Sequence, residues 1–235
     1  MAGNTVRAIF YIDGFNFYYL RTKNQPQFKW LNLKALADEI VPAGTTVSAV
    51  NYYTASVSGK IDPDAPRRQQ ALFSALATVP EINVFKGRFL YSEKWAGLVH
   101  PPQSRPIGYQ WSVPPPDVVR VKKTEEKGSD VNLGVHLVRD AFLNSFDIAY
   151  VLTNDTDLVE PVRIVTQEVR KPVCIVAPCR PTSNRGKTIP VPAPSLKSVS
   201  TSVHYIDDKE LLAAQFTDVI VRTGKKPISK PVDWV

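Results

Sequence analysis

The chain has 235 residues, 43% of them hydrophobic, and carries a formal net charge of +7. That is enough apolar material for one ample α/β domain, and it excludes both a disordered chain and a small disulfide-stapled scaffold. The two cysteines show no CxxC or Cys/His spacing for zinc, and the basic balance favours polyanionic partners.

The N-terminal MAGNTVRAIFYIDG has no signal-peptide pattern, and no apolar stretch nears the ~20 residues needed to span a bilayer. A cytoplasmic location without membrane contact is expected, with Cys174 and Cys179 as buried, inert thiols.

Residues 7–12 (RAIFYI) read as a short buried strand that stops at Asp13-Gly14. FNFYYLRTKN then starts a helix. LNLKALADEIV continues the pattern with Leu33, Leu36, Ala37 and Ile40 at helical spacing, and Pro42-Ala43-Gly44 ends it. TVSAVNYYTAS is a second strand, rich in β-branched and aromatic residues. RRQQALFSALATV is a helix with Ala71, Leu72, Ala75 and Leu76 on one stripe, and INVFKGRFLY is a third strand.

Residues 92–116 are Pro-rich and carry Trp95, Tyr109 and Trp111, which suggests a long loop or extended hairpin. DVVRVKKTEEK returns to the sheet. SDVNLGVHLVRDAFLNSF is the clearest helix, with Val131, Val135, Val138 and Phe142 at helical spacing. IAYVLTN is a buried strand ending at Asp155, DLVEPVRIVTQEV a helix, and KPVCIVAP a final buried strand. Residues 180–202 are expected to form a mobile basic loop, followed by a helix in KELLAAQFTDVI. Residues 221–235 read as a basic tail without periodicity. Residues 1–220 therefore form one domain. Its alternating strands and helices predict a three-layer sandwich with a central, mainly parallel sheet.

In such folds ligands bind beyond the carboxyl ends of the strands. Asp13 follows the first strand directly, Asp155 ends IAYVLTN, Asp157 lies two residues on, and Asp130 opens the preceding helix. Carboxylates gathered there suit a hard cation such as Mg²⁺ or Mn²⁺. Such an ion offsets their repulsion and acidifies a water. Each residue also suits an ordinary role. Asp130 favours a helix N-terminus, Asp157 with Glu160 resembles a capping box, and Asp13 and Asp155 suit turns.

Three blocks, YIDGFNFYY, KGSDVNLGVHLV and VLTNDTDLVEPV, resemble in order and spacing the NYN domain. This is a branch of the PIN-like nucleases that includes the LabA-type bacterial proteins. The resemblance runs from about residue 6 to 178. It implies a PIN-like (Rossmann-like) sheet and metal-dependent RNA cleavage, endonucleolytic in the family. It maps Asp13, Asp130, Asp155 and Asp157 onto the acidic metal site, Asn16 onto the family's Asn after the first Asp, and Lys127 onto a basic residue ahead of the second acidic position. The third block departs from the common Ser-Gly-Asp-Ser-Asp, reading Thr153-Asn154-Asp155-Thr156-Asp157.

Asp13 and Asp155 are thus the expected direct ligands, with Asp130 and Asp157 binding directly or through water. Asn16 either orients a water or phosphate or packs into the first helical turn. Lys127, Arg67 and Arg68 are candidate RNA contacts, since two arginines opening a helix oppose its dipole. Arg88, Arg105, Arg180, Arg185 and Lys187 would extend a basic track, and Trp95, Tyr109 and Trp111 would stack on unpaired bases or pack on the domain. His100, His136 and His204 lie outside the motif blocks. RNA is the expected partner, and a second copy of the chain another. Two other readings stand: a PIN-like module that binds RNA or protein without cutting, and a haloacid-dehalogenase-like phosphatase. The latter lacks its second Asp, because position 15 is Phe.

Overall fold

The computed structural model describes residues 5–59, 62–99, 110, 112, 114, 116–178 and 192–234. In chain order these form β1 (Val6–Asp13), α1 (Gly14–Phe17, prolonged by a π-helical turn over Tyr18–Thr22), α2 (Leu33–Ile40), β2 (Thr45–Ala55), α3 (Ala65–Leu76), β3 (Ile82–Gly97) and β4 (Val118–Lys127). Next come α4 (Ser129–Phe142), β5 (Ile148–Leu152), α5 (Val159–Arg163, prolonged over Ile164–Glu168) and β6 (Val173–Ala177). The chain closes with α6 (Pro194–Val199), β7 (Ser202–Tyr205), α7 (Asp208–Ala213), β8 (Val219–Arg222) and β9 (Lys225–Ser229).

Seven strands make one sheet in the order β4-β3-β2-β1-β5-β6-β7. All neighbours are parallel except β3 and β4, which form an antiparallel hairpin. The two-residue period of β1 splits its side chains between two cores. Ala8, Phe10 and Ile12 join Leu36, Leu76 and Leu211 on one face, while Ile9 and Tyr11 join Leu133, Leu137 and Val162 on the other. A sheet covered by helices on both faces needs strands that are apolar throughout, which is why RAIFYI and VCIVA lack the alternation of a half-exposed strand. β1 sits in the middle, and the strand order reverses between β1 and β5, so the crevice of an open α/β sheet falls at their carboxyl ends.

Several expectations are corrected. The stripe that marks α4 in the sequence is not the face it buries: Val131 and Phe142 are 68% and 66% exposed, while Leu133, Leu137 and Ala141 pack into the core and Gly134 lies against Pro161 of α5. Two apolar rows share this helix, and Gly134 lets α5 come close, since a Cβ there would meet Pro161 Cγ at 2.9 Å. Of the two readings of the Pro-rich segment, the extended hairpin holds for residues 92–97, which are the outer part of β3, paired with β4. The rest of the Pro-rich segment falls largely outside the described residues, as do Tyr109, Trp111, Cys179, Arg105, Arg180, Arg185 and Lys187. β6 is not the final strand, since β7 extends the sheet beside it. The expected loop at 180–202 includes α6, whose Leu196 is buried and whose Pro194 suits a first helical turn.

The largest correction concerns residues 221–235, which are not a featureless tail. β8 and β9 form a hairpin, and Ile228 and Trp234 bury against Trp30 and Ala75. The Trp30 indole donates a hydrogen bond to the Thr217 carbonyl at 2.9 Å. Two apolar side chains filling two slots on a buried tryptophan leave no periodic signal. Among the described residues, no helix is long and apolar enough to cross a membrane.

Candidate functional site

β1 ends in Asp13, which is 3% exposed. Its Oδ1 accepts the Asn16 backbone N–H at 3.0 Å and so caps α1. The chain must then turn hard against β2. A Cβ on Gly14 would meet the Tyr53 carbonyl oxygen and the Tyr52 ring, each at 2.7 Å, so only glycine fits after this aspartate. Asp13 Oδ2 accepts the Thr153 hydroxyl at 3.0 Å. The same Thr153 oxygen accepts the Asp155 backbone N–H at 3.0 Å. One fully buried hydroxyl thereby ties the end of β1 to the loop after β5.

Asn16 makes a second tie: its side-chain oxygen accepts the Asn154 backbone N–H at 2.8 Å. Asn154 in turn accepts the Ala193 backbone N–H at 2.7 Å. Asp155 stands three residues beyond the end of β5 and accepts the Asp157 backbone N–H at 3.0 Å, capping the short 3₁₀ turn that leads into α5. Asp155 is partly exposed and Asp157 exposed.

Asp130 approaches from α4. Gly128, with φ of +103°, makes the turn from β4 into that helix. Ser129 donates to Asp130 at 3.3 Å and to Glu126 at 2.6 Å, so Glu126 joins the acidic edge as a fifth carboxylate. Burial pushes the Asp13 carboxyl up to about 6, with the charges of Asp130 and Asp155 adding to the effect and its two hydrogen bonds opposing it. Burial also raises Asp130, helped by Asp155, Glu126 and Asp157. Asp13 therefore feels the charges of Asp130 and Asp155, and Asp130 those of Asp155 and Asp157. The four predicted aspartates do not form a compact cluster: among the described residues, no three Asp, Glu, His or Cys side chains are grouped tightly enough to hold an ion as they stand. The donors are all hard oxygens, the type that suits Mg²⁺ or Mn²⁺, and a cation between Asp13 and Asp155 would offset the charge that burial penalises.

The basic candidates divide. Lys127 is half exposed, 3.5 Å from Glu125, and lines a groove with Asp130 and Asp157 between α4 and α5. Arg67 is exposed and pairs only loosely with Asp64, at 3.6 Å. Arg68 is mostly buried and bridges Asp62 and Asp233, at 3.0 Å for the latter. Those carboxylates offset the cation at the start of α3, so the unfavourable dipole position has a structural explanation and Arg68 is already engaged. His136 pairs with the Tyr53 hydroxyl at 3.0 Å and His204 with Glu210 at 2.8 Å, while His100 lies outside the described residues.

Beside Gly14 opens a cavity of about 380 Å³ with mostly apolar walls that include the aromatic rings of Phe15, Tyr18, Tyr52, Phe73 and Phe89. Sequence reasoning missed this cavity, the Thr153 bridge and Glu126. The threonine had one available signal, a hydroxyl retained at the position where the resembled family has serine. Glu126 had none, because its place depends on the β3–β4 register.

No family model matches the chain. It is 26% identical over 250 aligned residues to 6-hydroxy-3-succinoylpyridine 3-monooxygenase HspA of Pseudomonas putida, an alignment covering 97% of this chain and 75% of that protein. A solved structure of a protein of unknown function from Vibrio parahaemolyticus superimposes with a TM-score of 0.53 at 16% identity, covering 88% of this chain and 97% of that one. That likeness concerns the fold.

Proposed function

We propose that the chain is a metal-dependent ribonuclease of the NYN type, with a PIN-like fold, that hydrolyses RNA phosphodiester bonds at the carboxyl edge of β1 and β5. One observation carries the reading: Asp13 and Asp155, from separate strand ends, are tied to a single buried Thr153 hydroxyl while Asp130 adds its charge alongside. When bound, Mg²⁺ or Mn²⁺ supplies an acidified water and offsets charge on the scissile phosphate. Asp13 and Asp155 would hold that ion, with Asp130 and Asp157 adding negative charge from α4 and the turn before α5. Asn16 and Thr153 are positioning residues that set the distance between the two strand ends. Lys127, which lines the groove beside Asp130, would be the contact for a substrate phosphate.

The test is cleavage of single-stranded RNA by purified protein with Mn²⁺ or Mg²⁺, repeated with Asp13→Asn and Asp155→Asn. Both variants are expected to stay folded and lose cleavage. Cleavage that persists in both sinks the assignment. RNA bound but never cut favours a binding module, and release of phosphate from small phosphomonoesters alone favours a phosphatase.

A second reading rests on the Pseudomonas relative, whose name describes oxygenation of a small hydroxylated pyridine. The apolar, aromatic-containing cavity beside Gly14 has a size suited to such a ligand. Incubation with 6-hydroxy-3-succinoylpyridine, dioxygen and a reductant discriminates. Turnover of that compound without RNA cleavage favours the oxygenase.

A further inference from the structure

The β3–β4 hairpin outgrows the sheet. β1 pairs with β2 as far as Asp13 opposite Tyr53, and β2 pairs with β3 only as far as Ala55 opposite Gly87. From Arg88 to Gly97, β3 pairs with β4 alone, in unbroken register from Arg88 opposite Lys127 to Gly97 opposite Val118. At ~3.4 Å per residue this two-stranded ribbon reaches roughly 30 Å beyond the edge that carries Asp13. Its returning strand ends at Lys127, three residues before Asp130. The ribbon is rooted in the acidic site itself.

Alternation places Phe89, Tyr91, Glu93 and Trp95 on one face, opposite Glu126, Thr124, Lys122 and Arg120 respectively. At the root, Phe89 packs edge-on against Phe15, and Glu126 shares Ser129 with Asp130. Further out, Tyr91 is 46% and Trp95 70% exposed. An exposed tryptophan on a thin ribbon leaves a large apolar surface in water. Across the ribbon, Arg88, Lys94, Arg120, Lys122, Lys123 and Lys127 outnumber Glu93, Glu125 and Glu126 by six to three. The ribbon is one layer thick, so cations on its reverse face lie within the ~8–10 Å over which charge is felt in salt.

We propose that this ribbon is a guide for unpaired RNA, whose bases stack along Phe89, Tyr91 and Trp95 and whose phosphates are drawn by the surrounding lysines and arginines toward the acidic edge. The proposal rests on the ribonuclease reading and names its substrate class as single-stranded RNA. Aromatic rings interleaved with cations are how proteins hold single strands without reading sequence, because every base has a stacking face. A duplex hides those faces and gains only the charge term.

The test uses the full chain carrying Asp13→Asn, so that RNA is not consumed, and measures binding of a fluorescent 12-mer oligouridylate and of a duplex of equal length. Trp95→Ala and Tyr91→Ala are each expected to weaken the single strand roughly 5- to 50-fold, leave the duplex nearly unchanged, and keep the salt slope. Trp95→Phe restores most of the loss. Lys122→Ala is expected to flatten the slope instead. Unchanged single-strand affinity in both ring variants overturns the proposal, as does equal loss for the duplex. A Trp95→Ala variant that dissociates a dimer while RNA affinity holds assigns the face to a second copy and equally overturns it. In the protein with Asp13 intact, ring-dependent binding without any cleavage defeats the nuclease reading and leaves the guide. Cleavage with ring-independent binding and KM does the reverse.

Discussion

Two places where distant parts of the chain meet are built in opposite ways. At the β1/β5 edge, residues about 140 apart in sequence are joined through polar groups: a carboxylate driven toward its neutral form, a shared hydroxyl, and backbone N–H groups. At the Trp30 cluster, residues about 200 apart are joined by apolar burial, with Ile228 and Trp234 closing over one indole. The second arrangement lowers the free energy of the fold. The first raises it, because a carboxylate 3% exposed beside other carboxylates is worse off folded than unfolded. That unfavourable burial is what separates the acidic edge from an ordinary turn.

The contrast breaks most directly at Asp13. Asp13→Asn should lose at least ~10³-fold in RNA cleavage, about 4 kcal/mol in the barrier, while raising Tm at neutral pH. A variant that cleaves normally or melts earlier refutes the division of labour. Trp234→Ala should do the opposite, costing about 3 kcal/mol of stability, the low end for a tryptophan because it is 8% exposed. Its activity at low temperature should survive. Denaturant unfolding and cleavage by one preparation check both halves.

pH sharpens the comparison. The folded Asp13 titrates near 6, above an ordinary aspartate at 3.8, so the folded state favours its proton. Its unfavourable contribution is absent below about pH 4, grows as pH rises, and is complete above about 6. The stability gap between Asp13→Asn and the parent protein should therefore widen by roughly 1–3 kcal/mol from pH 4 to pH 7.5. A gap independent of pH shows that Asp13 is not buried as a carboxylate. Thr153→Val keeps the shape but leaves Asp13 Oδ2 and the Asp155 N–H without their partner. It should lower cleavage about tenfold and stability by about 1–2 kcal/mol. Arg68→Ala, which frees Asp62 and Asp233, should cost about 1 kcal/mol or less and leave RNA affinity untouched. A flattened salt slope in that variant would return Arg68 to the list of phosphate contacts.

Legibility in the sequence followed the range of the interaction. RAIFYI and VLTN announce buried strands because their apolar runs are local, and the residues that stop them, Asp13 and Asp155, are found by position alone. The α4 helix was equally plain, yet its buried face was misjudged: Val131 and Val135 have the same period as Leu133 and Leu137, and period does not say which row meets the sheet. The edge role of Glu126 and the length of the ribbon depend on which β3 residue stands opposite which β4 residue. Trp30 and Trp234, 204 positions apart, carry no mutual signal at all.

By itself, then, the sequence determined the alternation of strands and helices, the parallel core, and the strand ends at which carboxylates lie, because each depends on neighbours a few residues away. The tertiary structure decided that Thr153 joins the Asp13 carboxylate to the Asp155 backbone N–H, that Glu126 and a projecting ribbon flank them, and that the C-terminal residues close over Trp30. Those outcomes depend on strand order and register, which bring together groups that nothing in their local sequence relates.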